Sequence, residues 1–360
     1  MRKFMDYKMI SYSNTIVQED LQAIIKDRSV AWDKLNHKSI LITGANSMLA
    51  TYMIYTLVYL NQFEDSDITI IATARNLDKA KERFKGLVEE NKIILIQHDV
   101  NQPLLYDGTV DFIVHAASNA SPHYILTDPV GIIKANTLGT LNLLEFAKVK
   151  EIENFLFMST REIYGKAIQE VIDEEAYGAF DILESRACYP ESKRIAETLL
   201  KSYSDQYQVP FTIARLAHVY GPGMEVANDG RIMSDLLNNV LMKEDIVLKS
   251  DGSAERAFCY LADATVALFL ILLNGEIGQA YNIANEEEPI MIRNLAQLLV
   301  DTFPDKDLQV VFEIPSEASK AYSKMGRTRL STEKIEKIGW KKKVSLTDGL
   351  VKTVKSFEEI

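Results

Sequence analysis

Tyr189 and Lys193 stand four residues apart in "ACYPESKRIAE" (187–197), at the head of a helix-like stretch. On a helix that spacing puts two side chains on one face, one turn apart, so a phenol and an ammonium become neighbours. Such a pair is either an exposed couple or a proton-handling one, because a nearby positive charge favours the phenolate. A second group lies upstream, where "FMSTREIYG" (157–165) crowds Ser159, Thr160, Glu162 and Tyr164 into a loop behind an apolar run. Strand-end loops commonly carry substrate-touching groups, although capping alone accounts for these hydroxyls. A third group is "TGANSMLA" (43–50), whose small residues suit a backbone that approaches a pyrophosphate at a helix N-terminus. Gly44 takes the first place of a GxxGxxG spacing, and Ser47 and Ala50 take the second and third. By itself this turn fits a ligand-free strand-to-helix junction equally well.

These groups need elements to position them. "KSILITGANSMLATYMIYTLVYLNQ" passes from a β-branched run through a turn into a long apolar helix. The pattern recurs: "DITIIATAR", "KIILIQHDV", "VDFIVHAAS", "NFLFMST" and "FTIARLAHVYG" are strand-like runs separated by helical segments. Strands too apolar to have a wet face, alternating with helices, predict an α/β fold with a doubly wound parallel (Rossmann) sheet covered on both sides. After Gly221 the rhythm loosens, which predicts a smaller, discontinuous C-terminal substrate lobe. The expected division is a 1–37 extension with one short outer helix, a 38–220 dinucleotide-binding domain and a 221–360 substrate lobe. Segments near 255–275 are expected to return to the first lobe. Ligands belong in the cleft over the C-terminal strand ends. There the second strand ends at Arg75, the third at Asp99 and Val100, and the fourth at Ala116, Ala117 and Ser118. An arginine after the second strand suits a 2′-phosphate, but it also stacks on adenine or simply meets water, so NAD and NADP both stay open.

The net charge of −11 over 360 residues argues against a nucleic-acid partner while leaving room for a local basic pocket. Cys188 and Cys259 make neither a disulfide framework nor a zinc site, and no metal is expected. The opening residues lack an apolar signal core and no run is long enough to cross a bilayer, so a cytoplasmic protein without membrane insertion is expected.

Taken in order and at these distances, "TGxxxxxxA", "HAAS", "STREIYG", "YPESK", "RxxxVYGPG" and "DGRI" resemble the extended short-chain dehydrogenase/reductase family. These are the NAD-dependent epimerases and dehydratases of nucleotide sugars, and the resemblance runs from about residue 38 to 358. It implies a catalytic set of Thr160, Glu162, Tyr189 and Lys193. It also implies cofactor contacts from Gly44, Asn46, Ser47, Met48, Leu49, Arg75, Asp99, Val100, Ala116, Ala117 and Ser118, with Tyr189 and Lys193. Ser121, Arg161, His218, Arg231 and Arg256 fall at substrate-binding places. The implied partners are a nucleotide-diphosphate sugar and a second copy of the chain, paired through helices that include 130–148 and 190–207.

Within the family the stretches around "DPVGIIKANTLGTLNLLEFAK", "DGRI" and "DGSAERAF" resemble the UDP-glucuronate decarboxylase branch most. Arg161 stands where dehydratases carry an aspartate, and an arginine does not release a proton to a departing hydroxyl. His218 stands where the family has asparagine, and Gly223 where decarboxylases often have arginine. The leading expectation is chemistry through a 4-keto sugar that ends in loss of carbon dioxide. The alternatives are a 4-epimerase or 4,6-dehydratase, an NADPH-dependent keto-sugar reductase and a non-catalytic NAD(P)-binding sensor.

Overall fold

The computed structural model describes residues 9–88, 93–166, 169–227, 229–314 and 329–359. A central sheet is built from β1 (Ser39–Thr43), β2 (Thr69–Ala74), β3 (Ile93–Gln97), β4 (Phe112–His115), β5 (Asn154–Thr160), β6 (Phe211–Leu216) and β7 (Gln279–Ile283). Its order is 3-2-1-4-5-6-7, with every neighbouring pair parallel. The helices in chain order are α1 (Thr15–Ile25), α2 (Met48–Phe63), α3 (Leu77–Arg83), α4 (Pro122–Thr127), α5 (Pro129–Lys150), α6 (Cys188–Tyr207) and α7 (Ile232–Met242). They continue with α8 (Leu261–Asn274), α9 (Ile292–Thr302), α10 (Glu333–Lys337) and α11 (Leu346–Glu358). The strand order reverses between β1 and β4, the place where open α/β sheets open a crevice for ligands.

Strand side chains alternate between two cores, which is why each strand reads as unbroken apolar sequence. Ile40, Ile42, Ile70, Val114 and Leu156 face one core with α2 and α8. Leu41, Ile71, Ile113, Phe155, Phe157 and Ile213 face the other with Leu143 and Leu144 of α5 and Ala196 and Leu200 of α6. In α2 every residue from Ala50 to Leu60 is buried, so this helix needs a further layer outside it. Helix α1 supplies that layer, sinking Val17, Leu21 and Ile24 into the same core. The short outer helix expected here is thus present, and its inner face is part of the core.

Two other expectations change. "FTIARLAHVYG" is not one strand: β6 stops at Leu216, and residues 218–220 pair instead with 258–260. The edge strand β7, absent from the expected strands, extends the sheet beyond β6 because α8 returns the chain to it. Short ladders join 171–172 to 329–330, 246–248 to 310–312 and 255–256 to 290–291. The first two residues of "RTRLSTEKIEKIGW" lie outside the described residues. Among those described, no helix is long and apolar enough to cross a membrane.

Candidate active site

A crevice of about 580 Å³ opens at the C-terminal ends of β1, β2, β3 and β4. Gly44, Asn46, Ser47, Arg75, Asp99, Val100, Ala116, Ala117 and Ser118 all line it. Gly44 has φ +68°, and a Cβ there would lie 2.8 Å from the Ala117 Cα. Only glycine fits this turn, in conformation and in space. Thr43 fixes the facing wall, its hydroxyl accepting from the Ala116 and Ala117 amides at 3.2 Å each. The Oγ of Ser118, Oγ1 of Thr73 and Oδ1 of Asn46 are buried without a partner in the protein. A glycine cradle bordered by orphaned polar atoms fits the pyrophosphate and nicotinamide side of a dinucleotide. Met48 and Leu49 sit in the first turn of α2 with side chains packed on the core, which leaves only their backbone to face a phosphate. Arg75 is exposed at the rim.

Tyr189 and Lys193 occupy the first two turns of α6, and both are buried. The Lys193 Nζ donates to the Met158 carbonyl at 2.6 Å and stands 4.5 Å from the centre of the Phe157 ring. Burial pulls its ammonium down to about 7 against the opposing charge of Glu197. Burial likewise pushes the Tyr189 phenol up to about 12, helped by Glu162. A hydrogen bond with Thr160 and the charges of Arg231 and Arg186 oppose that rise. The structure thus brings Thr160, Tyr189 and Lys193 together where β5 ends. Thr160 also caps the following turn, its Oγ1 accepting from the Glu162 amide at 3.2 Å.

Glu162 does not stand alone beside the phenol. Arg186 forks onto it, Nη1 to Oε2 at 3.0 Å and Nη2 to Oε1 at 3.1 Å. His218 lies within reach of three cations. Burial, then the charges of Arg161, Arg256 and Arg231, hold its imidazole down to about 3, so it is neutral at ordinary pH. Its Nε2 is buried without a protein partner. Arg231 pairs with the buried Asp229, whose carbonyl accepts from the Ser121 hydroxyl at 2.9 Å. Ser121 therefore ties down the loop that carries Arg231. Arg256 donates to the Glu255 carbonyl at 2.8 Å.

Sequence reasoning missed Arg186, Glu197 and Arg215. Glu197 was open to the argument that found Lys193, since it stands one further turn along α6. Arg186 meets Glu162 across 24 positions, and nothing local announces that meeting.

The chain matches the model of the NAD dependent epimerase/dehydratase family over residues 40–284. It is 31% identical over 312 residues to UDP-glucuronic acid decarboxylase 6 of Arabidopsis thaliana, covering 86% of each chain. Among solved structures it is similar to the UDP-glucose 4-epimerase of Thermotoga maritima with UDP-glucose. That likeness has TM-score 0.70 and 21% identity, and covers 89% of this chain and 99% of that one. It is similar also to the dTDP-glucose 4,6-dehydratase DesIV of Streptomyces venezuelae with NAD bound. There the TM-score is 0.72 and the identity 21%, with 89% of this chain and 97% of that one covered.

Proposed function

The chain belongs to the NAD dependent epimerase/dehydratase family and is a nucleotide-sugar-modifying enzyme, and from that premise we propose that it decarboxylates a nucleotide-linked uronic acid, UDP-glucuronate first among them. The observation that carries this reading is the buried, unpartnered Nε2 of His218, an imidazole that also feels the charges of Arg161, Arg256 and Arg231. Such a cluster suits a ligand with a diphosphate and a carboxylate. A neutral His218 adds a polar contact without adding charge.

Tyr189 takes the proton of the C4 hydroxyl, with Lys193 stabilising the phenolate and Thr160 holding the same sugar oxygen. NAD, held in the crevice beside Gly44 and Ala117, would supply the hydride acceptor and donor for C4. Once C4 is a ketone, the C5–C6 bond breaks and carbon dioxide leaves, its bonding pair moving onto the C4 oxygen as an enolate. Thr160 and Tyr189 steady that oxygen by hydrogen bonding, C5 takes a proton from water, and Tyr189 gives its proton back to the C4 oxygen as hydride returns to C4. Glu162, held by Arg186, acts here as a fixed negative charge beside the phenol. Arg161 in place of a proton-releasing acid disfavours dehydration.

Parallel incubations of the protein with UDP-glucuronate and either NAD or NADPH test the reading, with product mass and reduced-cofactor absorbance followed together. Loss of carbon dioxide without net cofactor change is expected. Unchanged mass with a new isomer, loss of water, or stoichiometric NADPH consumption overturns it. We further propose a cytoplasmic homodimer joined through α5 and α6, whose exposed Val130, Ile133, Leu138 and Ile195 support that face. Sedimentation at dilute concentration checks the dimer. The substrate lobe is proposed to comprise residues 221–360, with segments near 255–275 returning to the dinucleotide-binding domain.

A further inference from the structure

Ser159, Arg215 and Asn282 are register partners on β5, β6 and β7, forming one row across the C-terminal end of the sheet. Helix α6 closes over that row with Glu197. The Arg215 guanidinium forks onto Glu197, Nε to Oε1 at 3.2 Å and Nη2 to Oε2 at 2.7 Å, and both side chains are about nine-tenths buried. Glu197 Oε1 also accepts from the Ser159 hydroxyl at 2.6 Å. On its other side Arg215 donates through Nη1 to the Tyr164 hydroxyl at 2.9 Å and to the Glu174 carbonyl at 2.7 Å. The Tyr164 hydroxyl in turn donates a hydrogen bond to Asn282 Oδ1 at 2.6 Å.

Ser159 and Tyr164 bracket the segment that carries Thr160, Arg161 and Glu162. The ion pair therefore grips that segment at both ends. One turn back along α6, Lys193 grips the Met158 carbonyl just before it.

We propose that the Glu197–Arg215 pair is a positioning clamp, holding the 159–164 segment in register with Tyr189 and Lys193 so that Thr160 and the phenol meet the same substrate oxygen. Neither member of the pair lines the cofactor crevice, and beyond the charge of Glu197 felt by Lys193 the clamp acts through the groups it holds. A buried charge pair of this kind adds little stability compared with apolar side chains of the same size, and its value lies in fixing geometry. Misplacement of a reacting group by an ångström lowers turnover by about 100-fold.

The variant to make is E197Q/R215M, which removes both charges together. The single variant E197Q leaves Arg215 buried without its anion and is prone to unfolding, so it serves only as a control. Hydrogen exchange, calorimetric NAD binding and UDP-glucuronate turnover are measured on the folded double variant. The expected result is exchange roughly tenfold faster in the peptide covering 159–165, with NAD affinity and the melting temperature close to the parent. Turnover is expected to fall about 100-fold with KM little changed. Parent-like exchange overturns the clamp whatever the turnover, because a fall in turnover alone is what removing the Glu197 charge beside Lys193 gives. A fall in NAD affinity that parallels the fall in turnover also overturns it, because that marks general loosening. The kinetic arm rests on the decarboxylase reading. If the parent protein leaves UDP-glucuronate untouched, that reading fails, while the exchange and binding arms still decide the clamp.

Discussion

Burial moves Tyr189 and Lys193 in opposite directions, the phenol up to about 12 and the ammonium down to about 7, so both are held away from their charged forms before substrate arrives. That has a consequence for stability. Between about pH 7 and the ordinary lysine range the unfolded chain carries a proton that folded Lys193 has released, so this residue's destabilisation is full below pH 7 and fades as pH rises. Lys193→Met is expected to gain on the order of 3 kcal/mol of stability at pH 6, a margin that shrinks toward pH 10, while turnover is lost. Denaturant titrations at the two pH values check this, and a margin that grows with pH contradicts it. Arg186 presents the reverse balance. Its pair with Glu162 is half-exposed, so Arg186→Gln should change stability by less than about 1 kcal/mol. It nonetheless strips Tyr189 of an opposing cation and leaves Glu162 in place, so turnover should fall roughly tenfold. A variant with parent turnover reduces the pair to a surface contact.

At the scale of elements, the β1–α2 turn depends on one position. Gly44→Ala forces an L-residue into a left-handed conformation, which costs about 1–2 kcal/mol, and drives its Cβ into the Ala117 backbone. The wall from Ala116 to Ser118 must then shift, so NAD affinity should fall more than tenfold by calorimetry with a modest drop in melting temperature. Unaltered affinity removes this turn from the cofactor site. The turn was legible in the sequence because a glycine set between a buried strand and an apolar helix marks a sharp change of backbone direction. The five strand runs were legible too, since residues facing two cores leave no polar alternation. The end of β6 was not, because the chain leaves the sheet after Leu216 to pair with residues 258–260, forty positions on. Likewise Tyr189 and Lys193 declared themselves by helical spacing, whereas Arg186, Arg215 and the arginines around His218 come together only through tertiary folding.

Across the whole molecule, the chain's net charge of −11 gives no sign that three arginines, one of them paired with Asp229, act together on His218. The N-terminal segment is likewise easy to underrate. Its Asp20 is buried, accepting from Tyr52 of α2 at 3.1 Å, from Tyr260 at the start of α8 at 2.7 Å and from Lys352 of α11 at 2.8 Å. One carboxylate thus ties α1 to three helices distant in sequence, and sequence periodicity registers only that α1 is amphipathic. Asp20→Ala strands two buried phenols, while Lys352 keeps Glu19 at 3.5 Å as a weaker partner. The expected loss is about 2–4 kcal/mol in thermal or denaturant unfolding. Asp20 touches none of the residues at the cofactor crevice or around Tyr189, so the folded fraction of Asp20→Ala should bind NAD with parent affinity. Asp20→Asn keeps one acceptor oxygen for the tyrosines and should fall between the two. An Asp20→Ala protein of parent stability but weakened NAD binding would reverse the assignment, making α1 a part of the site's machinery and not a brace for the helices behind it.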